Sequence, residues 1–299
     1  MELRFVKMEG AGNDFVVCDG LKAPLTLAPA DVRRLTNRHL GVGADGVIVV
    51  DPASTPGADA TMTYFNADGT RADMCGNGVR CVARYLHDIA GLSADTLLID
   101  TLAGLRRVEV VRECNGAFSA ARVSMGEPRW DPATVPVIAD RPVEPEPVVL
   151  EMKTPWGRAV ATCLSMGNPH AVCRLDEADF DESAYRGEPG LDTLDVDAVG
   201  SWISHAEVFP EQANVEFVED TGRGCRMRVY ERGCAETLAC GTGACAVGVT
   251  AIEGGANGPV TVTMPGGSVE IAWRRGSEVV MTGPANVVFA GTIELNQER

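Results

Sequence analysis

The chain repeats three short motifs in the same order, and this repeat limits its possible folds more than any other feature. The three pairs are GNDFVV at residues 12–17 with GNPHAV at 167–172, Asn66-Ala67-Asp68 with Asn214-Val215-Glu216, and Cys75-Gly76-Asn77-Gly78 with Cys240-Gly241-Thr242-Gly243. Ordered self-similarity is typical of a chain built from two like units. We therefore expect two pseudo-symmetric halves related by a pseudo-two-fold axis, with equivalent loops on opposite sides of a cleft.

A proline-rich segment separates the two halves. Six prolines lie between Pro128 and Pro147, a density that interrupts helices and central strands and favours an extended linker. A length of 299 residues is also sufficient for two domains. We place the N-terminal half, which carries Cys75, at residues 1–130, and the C-terminal half, which carries Cys240, from residue 131 onward.

Both halves are rich in predicted strands. Short β-branched or alternating runs occur at residues 5–8, 47–50, 97–99, 106–111, 159–164, 170–174, 214–218, 226–230, 260–264, 269–273 and 287–289. The clearest helices cover residues 78–90 and 242–252, and the second is apolar on all sides, as expected for a buried helix. The fold class predicted is α/β (α+β), with each half a curved mixed sheet wrapped around a central helix.

The charge balance excludes several kinds of partner. Lys plus Arg number 26 and Asp plus Glu number 42, for a formal net charge of −16, and such a field repels nucleic acid and anionic membrane surfaces. The sequence has no apolar run long enough to span a membrane and no secretory signal at its start. We expect a cytoplasmic protein whose site for an anionic substrate, if it has one, consists of local donors.

The ten cysteines are expected to be reduced thiols, most of them packing residues, including Cys81, Cys234 and Cys245. None forms a Cys-x-x-Cys pair, so we expect no metal. Residues 41–46 (GVGADG) match a dinucleotide-binding pattern, but they follow a helix-like segment at 31–39 and precede a strand. That order is the reverse of the pattern's context, so we interpret them as a glycine-rich turn and expect no cofactor.

The two Cys-Gly-Xaa-Gly motifs carry the chemistry. The spacing predicts that each opens a helix, where free backbone N–H groups and the helix dipole lower the pKa of a thiol toward neutrality. The N–H groups of Gly76, Asn77, Gly241 and Thr242 would bind a carboxylate. Either cysteine alone could be a small residue in a tight turn, but two in matching places favour a pair of acid–base groups. Such a pair can invert a stereocentre, since one group removes the Cα proton and the other protonates the opposite face.

Other candidate residues have a structural alternative. His170 could be a core histidine or could tune a cysteine, and Glu231-Arg232 could be a solvated ion pair or a clamp for an ammonium and a carboxylate. Four asparagines could be turn residues, but their placement favours a role as polar side chains that line the cleft: Asn13, Asn66, Asn168 and Asn214.

Long strings of the sequence resemble the diaminopimelate epimerase family. They are KMEGAGNDFVV (7–17), GVGADG (41–46), NADGTRADMCGNGVRC (66–81), GNPHAV (167–172), FPEQANVEFV (209–218) and RVYERGCAETLACGTGACA (228–246). The resemblance implies a cofactor-independent isomerase that interconverts LL- and meso-2,6-diaminopimelate in lysine and peptidoglycan biosynthesis. It also implies a homodimer, and a last strand within residues 285–299 that returns to the first half, which leaves 131–284 to the second.

The resemblance also implies roles for individual residues. Cys75 and Cys240 would be the acid–base pair, and His170 and Glu231 would set their pKa values. Gly76, Asn77, Gly241 and Thr242 would hold the reacting carboxylate. The substrate would also contact Asn13, Asn66, Asn168, Asn214, Glu231 and Arg232.

Five residues depart from the family pattern. Gly46 replaces a glutamine that contacts substrate in some members, Glu9 replaces a histidine, Thr70-Arg71 replaces Ser-Glu, and Ala235 replaces a glycine. None is a member of the acid–base pair, so the reaction type is better defined than the substrate. The alternatives are a same-fold racemase of another amino acid, such as a proline-racemase-like enzyme, a non-catalytic amino-acid-binding protein, and a zinc-binding structural protein.

Overall fold

The computed structural model describes residues 2–138 and 147–295. The chain divides into two compact units, Met1–Ser124 with Thr282–Arg299, and Met125–Met281. Both boundaries lie a few residues before those proposed from the sequence, which were 130/131 and 284/285. Residues 139–146 of the proposed linker lie outside the described part of the chain.

The helices and strands have the following bounds. The helices are α1 (Pro29–Thr36), α2 (Gly76–Asp88), α3 (Val196–Ser204) and α4 (Gly241–Glu253), with a 3-10 turn at Glu182–Ala184. The strands are β1 (Glu2–Gly10), β2 (Asn13–Asp19), β3 (Gly46–Asp51), β4 (Ala60–Asn66), β5 (Arg71–Ala72), β6 (Thr96–Asp100), β7 (Arg106–Arg112), β8 (Phe118–Ser124), β9 (Val148–Thr154), β10 (Gly157–Ser165), β11 (Pro169–Arg174), β12 (Asp179–Phe180), β13 (Asn214–Asp220), β14 (Cys225–Glu231), β15 (Ala235–Thr237), β16 (Val260–Met264), β17 (Gly267–Ala272), β18 (Val280–Gly283) and β19 (Asn286–Glu294).

The first unit is a mixed sheet with α2 at its centre. β1 pairs antiparallel with both β2 and β19, β2 is parallel to β3, and β3 is antiparallel to β4. β6, β7 and β8 continue as antiparallel neighbours beyond a parallel β4–β6 pair. Helix α2 contacts β1, β2, β4, β7 and β8. Three residues at helical spacing are fully or almost fully buried: Val79, Val82 and Leu86. The hydrophobic effect therefore holds this helix against the sheet.

The second unit repeats this plan around α4. β9, β10 and β11 are antiparallel neighbours, β11 is parallel to β13, β13 is antiparallel to β14, and β16 and β17 form a hairpin. Helix α4 contacts six of these strands: β10, β11, β13, β14, β16 and β17. Gly248 permits the close approach, because a Cβ there would lie 2.5 Å from Ile271 Cβ. The predicted fold class, a mixed sheet around a central helix in each half, is confirmed.

The registers of the two units correct one part of the sequence repeat. Gly46 begins β3 and Asn214 begins β13, each strand lying parallel to the strand that carries the Gly-Asn motif. Asn66 ends β4, the antiparallel neighbour of β3, as Glu231 ends β14, the antiparallel neighbour of β13. The proposed match of Asn66 with Asn214 is therefore wrong, because the two residues lie on non-equivalent strands.

Among the described helices, none combines the length and apolar character that crossing a bilayer would require.

Candidate active site

Cys75 and Cys240 occupy the same local structure in their units. Each is the residue immediately before a central helix, with backbone angles φ −137°, ψ 117° at Cys75 and φ −126°, ψ 111° at Cys240. The first N–H groups of an α-helix have no partner within the helix. Each thiol is therefore next to donors that can bind an anion, as the sequence predicts.

In the first unit, Cys75 lies beside two asparagines. Its Sγ is 3.5 Å from Asn13 Oδ1, which also accepts a 3.3 Å hydrogen bond from Asn77 Nδ2. Asn13 Nδ2 donates to Asp45 Oδ2 at 2.7 Å. Asn77 is buried, and its Oδ1 has no hydrogen-bond partner within the described residues. The structure thus brings together three of the residues singled out in the sequence.

An ion-pair network holds the hairpin that presents Asn13. Asp14 accepts two 2.9 Å hydrogen bonds from Arg38 and lies 2.7 Å from Lys7 Nζ. Partial burial by itself raises the pKa of Asp14, but the bonds and charges of these two cations outweigh it and lower the pKa to about 2. Sequence reasoning missed this network, because its members are far apart in the chain and belong to no common motif.

Asn66 and Gly46 are paired across β3 and β4. Asn66 Nδ2 donates to Thr70 Oγ1 at 3.1 Å in the turn that follows β4. A Cβ at Gly46 would lie 2.5 Å from the Tyr64 ring and 2.6 Å from Phe65 O. Tyr64 therefore fills the space that a longer residue at position 46 would need.

In the second unit, Cys240 is buried among polar groups. Its Sγ accepts a hydrogen bond from Gly243 N at 3.4 Å and lies 3.5 Å from Thr242 Oγ1. Burial, followed by the negative charges of Glu231 and Glu216, raises the pKa of Cys240 well above its ordinary value. The prediction that the helix terminus lowers the pKa is therefore wrong for the free Cys240 thiol, because desolvation and two carboxylates outweigh the backbone donors.

His170 connects this unit's polar groups. Its Nδ1 is 2.7 Å from Glu216 Oε1, and its Nε2 is 3.0 Å from Asn168 Oδ1. Asn168 Nδ2 in turn donates to Thr242 Oγ1 at 3.4 Å. Sequence reasoning named His170, Asn168 and Thr242 but missed Glu216. The signal available for it was one acidic residue inside the otherwise apolar strand Val215–Val218.

Glu231 and Arg232 point to different partners. Glu231 accepts a hydrogen bond from Thr237 Oγ1, and burial raises its pKa, with the Thr237 and Cys240 bonds opposing this effect. Arg232 is exposed, and its guanidinium donates to Glu211 O at 2.9 Å. Asn214 is buried and bridges Pro169 O and Arg232 N, at 3.0 and 2.9 Å.

The remaining predictions concern packing and metals. Cys81 and Cys245 are buried, as predicted, but Cys234 is exposed, so the expectation that it packs in a core is wrong. Within residues 2–138 and 147–295, no group of three or more His, Cys, Asp or Glu side chains is arranged to hold a metal ion.

The fold is shared with amino-acid racemases and epimerases. A probable proline racemase from Agrobacterium radiobacter superposes with a TM-score of 0.67 at 16% identity, covering 99% of this chain and 94% of that one. A hydroxyproline epimerase from Agrobacterium vitis superposes equally well, at 14% identity and the same coverage. At these identities the likeness defines the fold alone.

Sequence relatives define the family. The diaminopimelate epimerase family profile matches residues 5–130 and 162–288. The diaminopimelate epimerase of Chromobacterium violaceum is 41% identical over 99% of this chain and all of its own length, and that of Aromatoleum aromaticum is 40% identical with the same coverage. The chain belongs to the diaminopimelate epimerase family and is an isomerase.

Proposed function

We propose that this chain interconverts LL-2,6-diaminopimelate and meso-diaminopimelate without a cofactor, with Cys75 and Cys240 as the two acid–base groups. The observation that carries the proposal is that each unit places a cysteine directly before its central helix, with nearly the same backbone angles. A carboxylate bound at such a helix start is stabilised by backbone N–H groups. Membership of the diaminopimelate epimerase family supports the choice of substrate.

The reaction needs one thiolate and one thiol. The thiolate sulfur takes the proton from Cα, and the electron pair of the broken C–H bond moves into the neighbouring carboxylate to give an enediolate-like state. The thiol of the other cysteine then gives its proton to the opposite face of Cα. The stereocentre is inverted, and the two sulfurs have exchanged protonation states.

The protonation of Cys240 suits this scheme. Burial and nearby carboxylates raise its pKa, so Cys240 is a thiol in the free enzyme and is the proton donor when catalysis starts from that state. We propose that Gly241 and Thr242, together with Gly76 and Asn77, hold the reacting carboxylate through their backbone N–H groups. These fixed donors stabilise the charge that develops in the transition state.

The rest of the substrate would be bound by side chains around these helix starts. We propose contacts to Asn13, Asn66, Asn168, Asn214, Glu231 and Arg232. Glu231 would accept hydrogen bonds from an ammonium group and Arg232 would bind a carboxylate. The Asn214 side chain is already bonded to backbone at both ends, so it would act mainly by fixing the turn that carries Glu231 and Arg232.

The decisive experiment follows proton exchange. Reduced protein is incubated with LL-diaminopimelate in D₂O, and both the isomer ratio and deuterium at Cα are measured. We expect epimerisation with one solvent deuterium per inverted centre. Cys75→Ala and Cys240→Ala should each abolish epimerisation, whereas the exposed Cys114→Ala control should retain it.

Two results would contradict the proposal. Binding of diaminopimelate without exchange at Cα would indicate an amino-acid-binding protein. Exchange with proline or hydroxyproline, and none with diaminopimelate, would move the substrate assignment to a proline-racemase-like reaction.

We also propose a cytoplasmic homodimer, on the basis of the family resemblance. Sedimentation velocity at several concentrations would test the dimer, and a single species at the mass of one 31.6 kDa chain would contradict it.

A further inference from the structure

Glu216 is a fully buried carboxyl group that the proposed mechanism does not use. It lies on β13 with no exposed surface, and its Oε1 is 2.7 Å from Nδ1 of the equally buried His170. Its other oxygen, Oε2, is buried without a hydrogen-bond partner within the described residues. A buried carboxyl group is costly unless it is paired, so its presence at this position needs an explanation beyond packing.

The packing itself requires no acid at this position. In the second unit, a Cβ at Gly243 would lie 2.7 Å from Glu216 Oε1 and 3.3 Å from Cys240 Sγ. In the first unit, a Cβ at the matching Gly78 would lie 2.9 Å from Ile48 Cδ1 and 3.5 Å from Cys75 Cβ. The same space beside a Cys-Gly-Xaa-Gly motif is therefore filled by isoleucine in one unit and by glutamate in the other.

Both ring nitrogens of His170 face side-chain oxygen atoms. Nδ1 faces the Glu216 carboxylate, and Nε2 faces Asn168 Oδ1 at 3.0 Å. The Asn168 amide presents its oxygen to His170 because its Nδ2 donates to Thr242 Oγ1. Both ring nitrogens therefore need a hydrogen, and a 2.7 Å N–O distance is that of a charge-assisted bond. This is the geometry that an imidazolium paired with a carboxylate would adopt.

Several titratable groups lie near the His170–Glu216 pair. They are Cys163 on β10, Cys173 on β11, Glu231 on β14 and Cys240 itself before α4. Of these residues and the pair itself, His170 is the one whose side chain can carry a positive charge. If that charge were lost, Cys240 would face two uncompensated carboxylates, and its thiolate would become much harder to form.

We propose that Glu216 is a positioning residue, which keeps His170 doubly protonated and oriented toward Asn168 so that the charge beside Cys240 stays balanced while this thiol gives up and regains its proton. The chain of contacts runs from Glu216 through His170 and Asn168 to Thr242, whose hydroxyl lies 3.5 Å from Cys240 Sγ. The inference rests on the proposed function for its purpose, but its charges and protons can be measured on the free protein.

The first test is nitrogen NMR of the four histidines. With ¹⁵N-labelled histidine at neutral pH, we expect His170 to show protons on both ring nitrogens in the wild type and on one in Glu216→Gln. His170→Gln identifies the signal. A single ring N–H at His170 in the wild type would overturn the proposal.

The second test measures the charge at Cys240. Alkylation by iodoacetamide is followed against pH, and the Cys240 and Cys75 peptides are quantified separately by mass spectrometry. In His170→Gln the pH at which Cys240 reacts should rise by about one unit or more, because Glu216 is left uncompensated. Adding Glu216→Gln should reverse the rise, while the Cys75 profile is unchanged throughout. Equal Cys240 profiles in the single and double variants would contradict the proposal.

A third test compares thermal unfolding of the variants and remains usable if His170→Gln folds poorly. Removing one partner of a buried pair is far more destabilising than removing both. The double variant should therefore unfold at a higher temperature than His170→Gln, and a double variant no more stable than the single one would count against the proposal. None of these readouts depends on turnover, so a failure to epimerise diaminopimelate would leave them interpretable.

Discussion

Ile48 and Glu216 occupy the same position in the sheets of their two units. Each is two residues beyond the start of the strand parallel to the Gly-Asn strand, opposite Val17 and Val172 respectively. Each also fills the space next to the second glycine of a Cys-Gly-Xaa-Gly motif. The repeated backbone thus places an aliphatic side chain beside the Cys75 motif and a carboxyl group beside the Cys240 motif.

This difference predicts unequal costs for adding a methyl group at the two glycines. In Gly78→Ala the new Cβ meets the end of the Ile48 side chain, which can rotate away. In Gly243→Ala it meets Glu216 Oε1, which cannot move without breaking its bond to His170. Overpacking of this kind costs about 1–3 kcal/mol. We expect Gly243→Ala to lower the free energy of unfolding by that amount in urea titrations and Gly78→Ala to lower it by clearly less. Equal losses would contradict the argument.

Ala235 is strained, and replacing it with glycine should stabilise the protein. It adopts φ 63° as the first residue of β15, directly after the turn from β14, a conformation that disfavours any residue with a Cβ. A glycine at this position would carry no such cost. Ala235→Gly should raise the free energy of unfolding by about 1 kcal/mol. The matched control is Ala198→Gly within α3, which should lower it by a similar amount. A loss of stability in Ala235→Gly would refute this account.

Acid should selectively weaken the hairpin that carries Asn13. The pKa of Asp14 falls from 3.8 to about 2 on folding. Because the folded-state pKa is the lower one, the stabilisation is complete above pH 3.8 and is lost as pH falls through about 2. The shift corresponds to about 2 kcal/mol. In urea titrations, Asp14→Asn should be less stable than the wild type at pH 6, and the gap should narrow by about this amount toward pH 2. A gap independent of pH would show that Asp14 stabilises by shape alone.

The sequence predicted the parts of the fold that local patterns determine. Helices α2 and α4 were recognisable from their apolar spacing and from the glycines at their starts, and each begins within two residues of its predicted start. Helix α3 was not predicted, although Val196, Val199 and Ile203 recur at helical spacing, because it is only nine residues long and follows an acidic segment. Strands such as β2 and β4 were also missed.

Contacts between residues far apart in the chain determine the features of the candidate site that could not be predicted from the sequence. The sequence named Asn13, Cys75 and Asn77, which meet in the first unit, and His170, Asn168 and Thr242, which meet in the second. It did not show that Asn66 is the counterpart of Glu231, since strand register depends on pairing across the sheet. Nor did it show the raised pKa of Cys240. Burial and the carboxylates of Glu231 and Glu216 raise this pKa, and only the folded chain brings them together.

Asn214 provides a test of whether a predicted substrate residue acts directly or through the backbone. Its side chain joins Pro169 O on one side to Arg232 N on the other and is buried. Asn214→Ala leaves the buried Pro169 O and the part-buried Arg232 N without this partner, and a buried unsatisfied group costs about 1–3 kcal/mol. We expect the free energy of unfolding to fall by about 2 kcal/mol or more, and KM for diaminopimelate to rise because the Glu231–Arg232 turn is no longer fixed. The exposed Asn257→Ala is the control and should change neither quantity. If Asn214→Ala raised KM with no loss of stability, Asn214 would instead be a direct ligand of the substrate.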